Sequence, residues 1–186
     1  YLSKKGFNVT IVDVGTTGII EASKIAEAIN DNTKLISIIF ANNEIGTIND
    51  VKTIGQICKE KDILLHVDAT QAVGKINFDL QDINIDFLSF TAHKLYGPKG
   101  IGALYINRKN RDIKLSQRIF GGTQENAVRP GTLNVPAIVG FGKAIEICDE
   151  DMRKDYDHTI FLRDRFYKNI LSNLSGVLIN GSIKDR

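Results

Sequence analysis

At the points where apolar runs of this 186-residue sequence stop, seven polar side chains gather whose types suit one kind of chemistry. Asn42 and Asn43 follow "KLISIIF", Asp68 and Gln71 follow "ILLHV", and Thr91, His93 and Lys94 follow "FLSF". A carboxylate and a lysine at the ends of consecutive apolar runs match what an aldehyde cofactor built on a pyridine ring requires. Such a group, pyridoxal 5'-phosphate, acts as an electron sink only while its ring nitrogen stays protonated, which a carboxylate such as Asp68 secures, and a lysine holds it as a Schiff base. Lys94 must spend time neutral to do this, and desolvation at a strand end lowers a lysine pKa in that direction. The amides of Asn43 and Gln71 suit the phenolic oxygen of the ring. Thr91 and His93 suit the phosphate.

Each residue also has a plainer reading. Asp68 could cap a turn in "VDAT", because Asp-x-Thr after a strand is common turn chemistry. His93 could be a structural histidine. Lys94 has two competitors, Lys75 after "AVG" and Lys99 in "GPKG", both beside glycine in loops. Further on, "FGGTQENAVRPGTLN" is a glycine-rich loop whose backbone can approach a ligand or another subunit closely. Its Arg129 and Thr132 are usual partners of a phosphate or carboxylate, and an ordinary surface loop is the alternative.

The elements that must position these residues follow from periodicity. "FNVTIVDV", "KLISIIF", "ILLHVDAT", "FLSFTAHK" and "IGALYINR" read as strands, and "EASKIAEAIN" and "VKTIGQICKEKD" as helices, with Ile48, Val51, Ile54 and Cys58 on one stripe. Strands alternating with helices predict an α/β fold with a mostly parallel sheet. The connection into "IGALYINR" is too short for a parallel crossover, so that strand should run antiparallel to its neighbour. In an open parallel sheet, ligands bind beyond the carboxyl ends of the strands, which is where the seven residues fall. From Pro136 the pattern turns helical: Ile138, Phe141, Ile145, Cys148 and Met152 mark one helix, and Leu162, Phe166, Ile170 and Leu174 a second. We therefore divide the chain into residues 1–135 and residues 136–186. "YLSKKG" reads as a last helical turn closed by glycine, and "GVLINGSIKDR" as the start of a strand. Both ends are expected to be cut from a longer chain.

Composition narrows the partners. The apolar fraction of 42% supports a folded core, and a net charge of +2 without any basic block argues against nucleic acid. No apolar run approaches the ~20 residues of a membrane span, and the start has no signal-peptide core. A soluble protein of a reducing compartment is expected. Cys58 and Cys148 have no Cys-x-x-Cys spacing, so neither a disulfide framework nor a zinc site is indicated, and both sit on apolar helical stripes as small hydrophobes.

Taken together, "FANNEIGTINDV", "HVDATQAVGKI", "FLSFTAHKLYGPKGIGALYI" and "FGGTQENAVRPGTLNVPAIVGFGKA" resemble the cysteine desulfurase family, the NifS/IscS-like branch of the class V aminotransferase superfamily. The resemblance implies the large domain of a pyridoxal-phosphate-dependent transferase of fold type I in residues 1–135, with linking helices and the beginning of a small domain in 136–186. It implies that Lys94 carries the cofactor and Asp68 pairs with its ring nitrogen. Asn43 and Gln71 would contact the ring, Thr91 and His93 the phosphate, and Thr132 the phosphate of the neighbouring subunit of a homodimer. The implied reaction converts L-cysteine to L-alanine and passes the sulfur to an enzyme cysteine as a persulfide. A sulfur acceptor or iron–sulfur scaffold protein would take it onward, in bacterial cytoplasm or an organellar matrix. Another class V aminotransferase, a selenocysteine lyase or a non-catalytic scaffold are the competing expectations. Family members place a stacking histidine and a phosphate-binding turn before the matching region, and the acceptor cysteine and a substrate-binding arginine after it. Neither Cys58 nor Cys148 stands in a matching motif, so this stretch alone is expected to be inactive.

Overall fold

Each apolar run that ends in a candidate residue becomes a strand. In the computed structural model, which describes residues 1–108 and 113–186, β1 (Leu35–Ile39), β2 (Leu64–Asp68), β3 (Phe87–Thr91) and β4 (Gly102–Ile106) form one sheet in that order. β1, β2 and β3 are parallel and β4 is antiparallel to β3. The register sets Ile39 beside Asp68 and Asp68 beside Ser89, so β1 and β2 end level and β3 runs two residues further, to Thr91. The architecture is the α/β fold predicted above.

One face of the sheet is closed by α2 (Val51–Glu60). Asp50 caps this helix by accepting the Thr53 N–H at 3.0 Å. Spacing of three and four then turns Val51, Ile54 and Cys58 onto one stripe, which packs with Ile63, Leu65, Val67, Ile85 and Leu88. Ile54, Leu65 and Val67 are fully buried, each contributing about 1.5–3 kcal/mol of apolar transfer. Cys58, 1% exposed, is a core hydrophobe. Gly55 has a packing reason: a Cβ there would lie 2.6 Å from the Asn84 carbonyl oxygen. Gly55→Val should therefore lower the unfolding free energy by about 1–3 kcal/mol, more than the few tenths a side chain gains over glycine in a helix. An unchanged urea midpoint would show that α2 does not rest on that backbone.

α1 (Ala22–Ala28) covers one edge of α2 through Ile25. The long helix α3 (Val135–Asn173) begins at Asn134, whose side chain accepts the Ala137 N–H. It packs Ala137, Phe141 and Ala144 against Phe90, Ala92 and Leu95 at the carboxyl end of β3. The rings of Phe90 and Phe141 meet edge to face at 5.6 Å.

Three expectations are corrected. Residues 7–14 are not a strand. Their alternating Phe7, Val9 and Ile11 are exposed, and no described strand runs beside them to take their backbone hydrogen bonds. The two helices expected after Pro136 are one. The polar stretch between Met152 and Leu162 contains neither glycine nor proline, and an i,i+4 pair of Arg153 and Asp157 at 3.1 Å spans it. Residues 176–186 form no strand; they turn back instead, with Ser182 N donating to Thr17 O at 2.8 Å and Ile48 N to Asp185 O at 3.0 Å. The "YLSKKG" turn is present, closed by Gly6 at φ 86°.

Candidate active site

Three loops leave the carboxyl edge of β1, β2 and β3, and each is built so that particular side chains face outward. After β1, Asn42 Oδ1 accepts the N–H groups of Glu44 and Ile45 at 2.8 and 3.0 Å. Asn42 thus builds the turn, and Asn43 is left exposed on it. Asn49, which sequence reasoning did not single out, anchors the loop from below. It is 5% exposed, accepts the Ile20 N–H at 3.0 Å and donates to the Ile39 carbonyl at 2.8 Å.

After β2, Asp68 Oδ1 accepts the Thr70 N–H at 3.0 Å, the turn cap that was its plainer reading. Its other oxygen makes no hydrogen bond to a described residue. The chain then winds a helical turn, with Val73 N donating to Ala69 O and Ile76 N to Ala72 O. Residues four apart share a face of such a turn. Lys75 Nζ accordingly donates to Gln71 Oε1 at 2.5 Å.

After β3, a single 3-10 turn, Ala92–Lys94, carries His93 and Lys94 outward between buried Ala92 and Leu95. The Thr91 hydroxyl lies 2.9 Å from His93 Nδ1 and 3.1 Å from the Ile101 carbonyl oxygen. A hydroxyl has one proton. When Thr91 gives it to Ile101, His93 Nδ1 is the donor to Thr91 and the pair is internally satisfied.

A cavity of about 400 Å³ opens between this edge and the inner side of α3. It brings together Asn43, Gln71, Lys75 and Lys94 with Cys148, Asp155 and Arg163 of α3 and with Arg186. Asp68, Thr91 and His93 stand on the same sheet edge but are not among its lining residues, and Thr132 lies exposed on the loop between β4 and α3. On that loop, Arg129 donates to the Gly131 carbonyl at 3.1 Å and shapes the turn that presents Thr132.

Lys94 is exposed, so the expected desolvation is not supplied by the described residues of this chain. Lys75 is exposed as well, and partial desolvation together with the positive charge of Lys94 beside it pushes its pKa down. Cys148 is pushed the other way: burial and the Asp155 carboxylate raise its thiol, against the pull of Lys75, and its Sγ donates to the Leu95 carbonyl at 3.8 Å. It is therefore a poor thiolate despite its place in the cavity.

Behind Asp68, on the same face of β2, His66 spans three strands. Its Nδ1 pairs with Ser37 Oγ at 2.8 Å and its Nε2 with Ser89 Oγ at 3.1 Å. Burial lowers the His66 pKa, and the Asp68 carboxylate pulls it back only in part. A histidine whose folded pKa is depressed binds fewer protons than its unfolded counterpart, so stability rises with pH across that window. Lowering the pH through about 6.5 should thus reduce the unfolding midpoint, and His66→Gln should flatten the profile there. Parallel profiles for the two proteins would show that His66 does not titrate against the fold.

The donor set fits a phosphorylated pyridine aldehyde. A free carboxylate oxygen, an amide, a threonine–histidine pair and a lysine share one strand edge, and the cavity beside it is of the size that small ligands occupy. The fold is that of fold-type I pyridoxal-phosphate enzymes. The chain belongs to the class V aminotransferase family, whose model matches residues 2–186. It is 45% identical over 185 residues to a cysteine desulfurase IscS of Vibrio campbellii, which covers 100% of this chain and 45% of that protein. It is 46% identical over 183 residues to a mitosomal cysteine desulfurase of Encephalitozoon cuniculi, covering 98% of the chain and 42% of that protein. A solved NifS-like protein superposes with a TM-score of 0.87 at 41% identity, over 92% of this chain and 47% of its own. The chain thus spans less than half the length of the curated relatives it matches. Among the described residues, no group of three or more His, Cys, Asp or Glu is placed to hold a metal ion, and no helix is long and apolar enough to cross a membrane.

Proposed function

We propose that the protein containing this chain is a pyridoxal-phosphate-dependent cysteine desulfurase. What carries the reading is one observation: Asn43, Gln71 and Lys94 meet at one cavity, in a chain 45% identical along its whole length to a cysteine desulfurase. Bound pyridoxal phosphate supplies an electron sink for negative charge at the substrate α-carbon. Lys94 would hold the cofactor through its amine and, once released, carry the α-proton at Nζ. The free oxygen of Asp68 would keep the ring nitrogen protonated, while its partner oxygen stays with Thr70. Asn43 and Gln71 would orient the ring. The Thr91–His93 pair would accept the phosphate once Thr91 turns its proton away from Ile101.

The net reaction moves one sulfur atom: L-cysteine and an enzyme thiol become L-alanine and a persulfide. Cys58 is buried in the core and Cys148 is held protonated, so we assign the acceptor thiol to neither. We further propose a homodimer in which Thr132 reaches the partner subunit's cofactor phosphate, and delivery of the sulfur to an iron–sulfur scaffold or another acceptor protein in bacterial cytoplasm or an organellar matrix. The test is product analysis. Incubated with L-cysteine and pyridoxal phosphate, the intact gene product should release alanine and, with a reductant, an equal amount of sulfide. Pyruvate and ammonia, or transfer of the amino group to a keto acid, would overturn the desulfurase reading.

A further inference from the structure

Lys75, a rival of Lys94 in sequence, has a different task in the structure. Its Nζ reaches Gln71 Oε1 at 2.5 Å. A lysine ammonium offers three donors and no acceptor, so only the oxygen of the Gln71 amide can face it. The usual ambiguity between amide oxygen and nitrogen is thereby removed. The NH2 group is left on the other side, without a hydrogen bond to any described residue, and Gln71 lines the same cavity as Lys94.

We propose that Lys75 is a positioning residue: by holding the Gln71 carbonyl oxygen it presents the amide NH2 to the cavity as a donor, so that the site selects a bound group with an acceptor oxygen at that point. This rests on the cofactor reading above, in which the phenolic oxygen of pyridoxal phosphate is the acceptor. Gln71 alone would offer oxygen and NH2 alike; a flipped amide would set oxygen against oxygen. Lys75 makes one orientation prevail without touching the reacting atoms.

The test measures cofactor affinity and the position of the visible absorbance band in the intact gene product loaded with pyridoxal phosphate. Lys75→Met keeps the length and removes the donor. It should weaken cofactor binding about fivefold, the worth of one hydrogen bond, and shift the band in the direction that Gln71→Ala shifts it. Lys75→Arg should restore both. Lys75→Glu should shift the band further than Lys75→Met, because a carboxylate accepts from the NH2 and draws it away from the cavity. In a Gln71→Ala background, Lys75→Met should add nothing. A normal band and affinity in Lys75→Met, or an effect that survives Gln71→Ala, overturns the proposal alone. No visible band in the parent protein overturns the cofactor reading, and the proposal with it.

Discussion

Lys94→Ala should leave the intact gene product without the visible band that added pyridoxal phosphate gives the parent. Desulfuration of L-cysteine should fall by about 10²–10⁴-fold from the loss of proton transfer alone, and further from the loss of covalent attachment. Lys94→Arg should not rescue it, because a guanidinium does not give up its proton in a protein. The choice among three lysines is geometric. Lys94 sits on the 3-10 turn at the end of β3, gripped on either side by buried Ala92 and Leu95, and it lines the cavity. Lys75 is occupied by Gln71, and Lys99 is exposed and is not among the lining residues. Borohydride reduction followed by proteolysis and mass measurement should find the cofactor on the peptide containing Lys94. A label on Lys75 or Lys99 would end the assignment.

The second large effect separates two roles of one carboxylate. Asp68→Asn keeps an oxygen for the Thr70 N–H, bonded at 3.0 Å, and removes only the charge. Its unfolding free energy should stay within about 0.5 kcal/mol of the parent. Activity should fall about 10²–10³-fold, as when one preorganised electrostatic partner is deleted from an active site. Asp68→Ala should lose a comparable amount of activity and, in addition, about 1 kcal/mol of stability with the turn hydrogen bond. A further signal comes from His66, whose pKa Asp68 now holds up in part. In Asp68→Asn that pKa should move lower still, by NMR titration. If Asp68→Asn kept full activity, the carboxylate would be a turn cap and nothing more.

The place of Lys94, Gln71, Asp68 and Asn43 at the carboxyl edge of the sheet was legible because each follows a run of apolar residues dense enough to be a strand. The antiparallel β4 was legible from a connection too short to cross the sheet. The rest required three dimensions. The Ser37–His66–Ser89 ladder depends on the pairing register, which periodicity does not specify. The pairing of Lys75 with Gln71 had a signal, their spacing of four in "QAVGK", but the neighbouring glycine favoured a loop over a helical turn. Residues 7–14 carry a good strand pattern; a pattern states which face is apolar, not whether a neighbour is there to complete the hydrogen bonds. The break expected within α3 rested on polar residues between two apolar stripes, and polar residues without glycine or proline do not stop a helix.

That unbroken helix makes the cavity a mechanical object. Near one end Gly140 rests on Pro98, where a Cβ would come within 2.8 Å, so the helix backbone bears on the turn that follows Lys94. Farther along, Arg163 donates to the Arg186 carbonyl at 3.2 Å and Arg186 stacks over Tyr167, so the same helix carries the opposite wall. Between those two ends the same rod lines the cavity with Cys148, Met152 and Asp155. At ~1.5 Å of rise per residue, Arg163 lies about 35 Å along the helix from Gly140, and a tilt of about 5° there would move it about 3 Å. A change in the angle of one rod would therefore change the width of the space in front of Lys94.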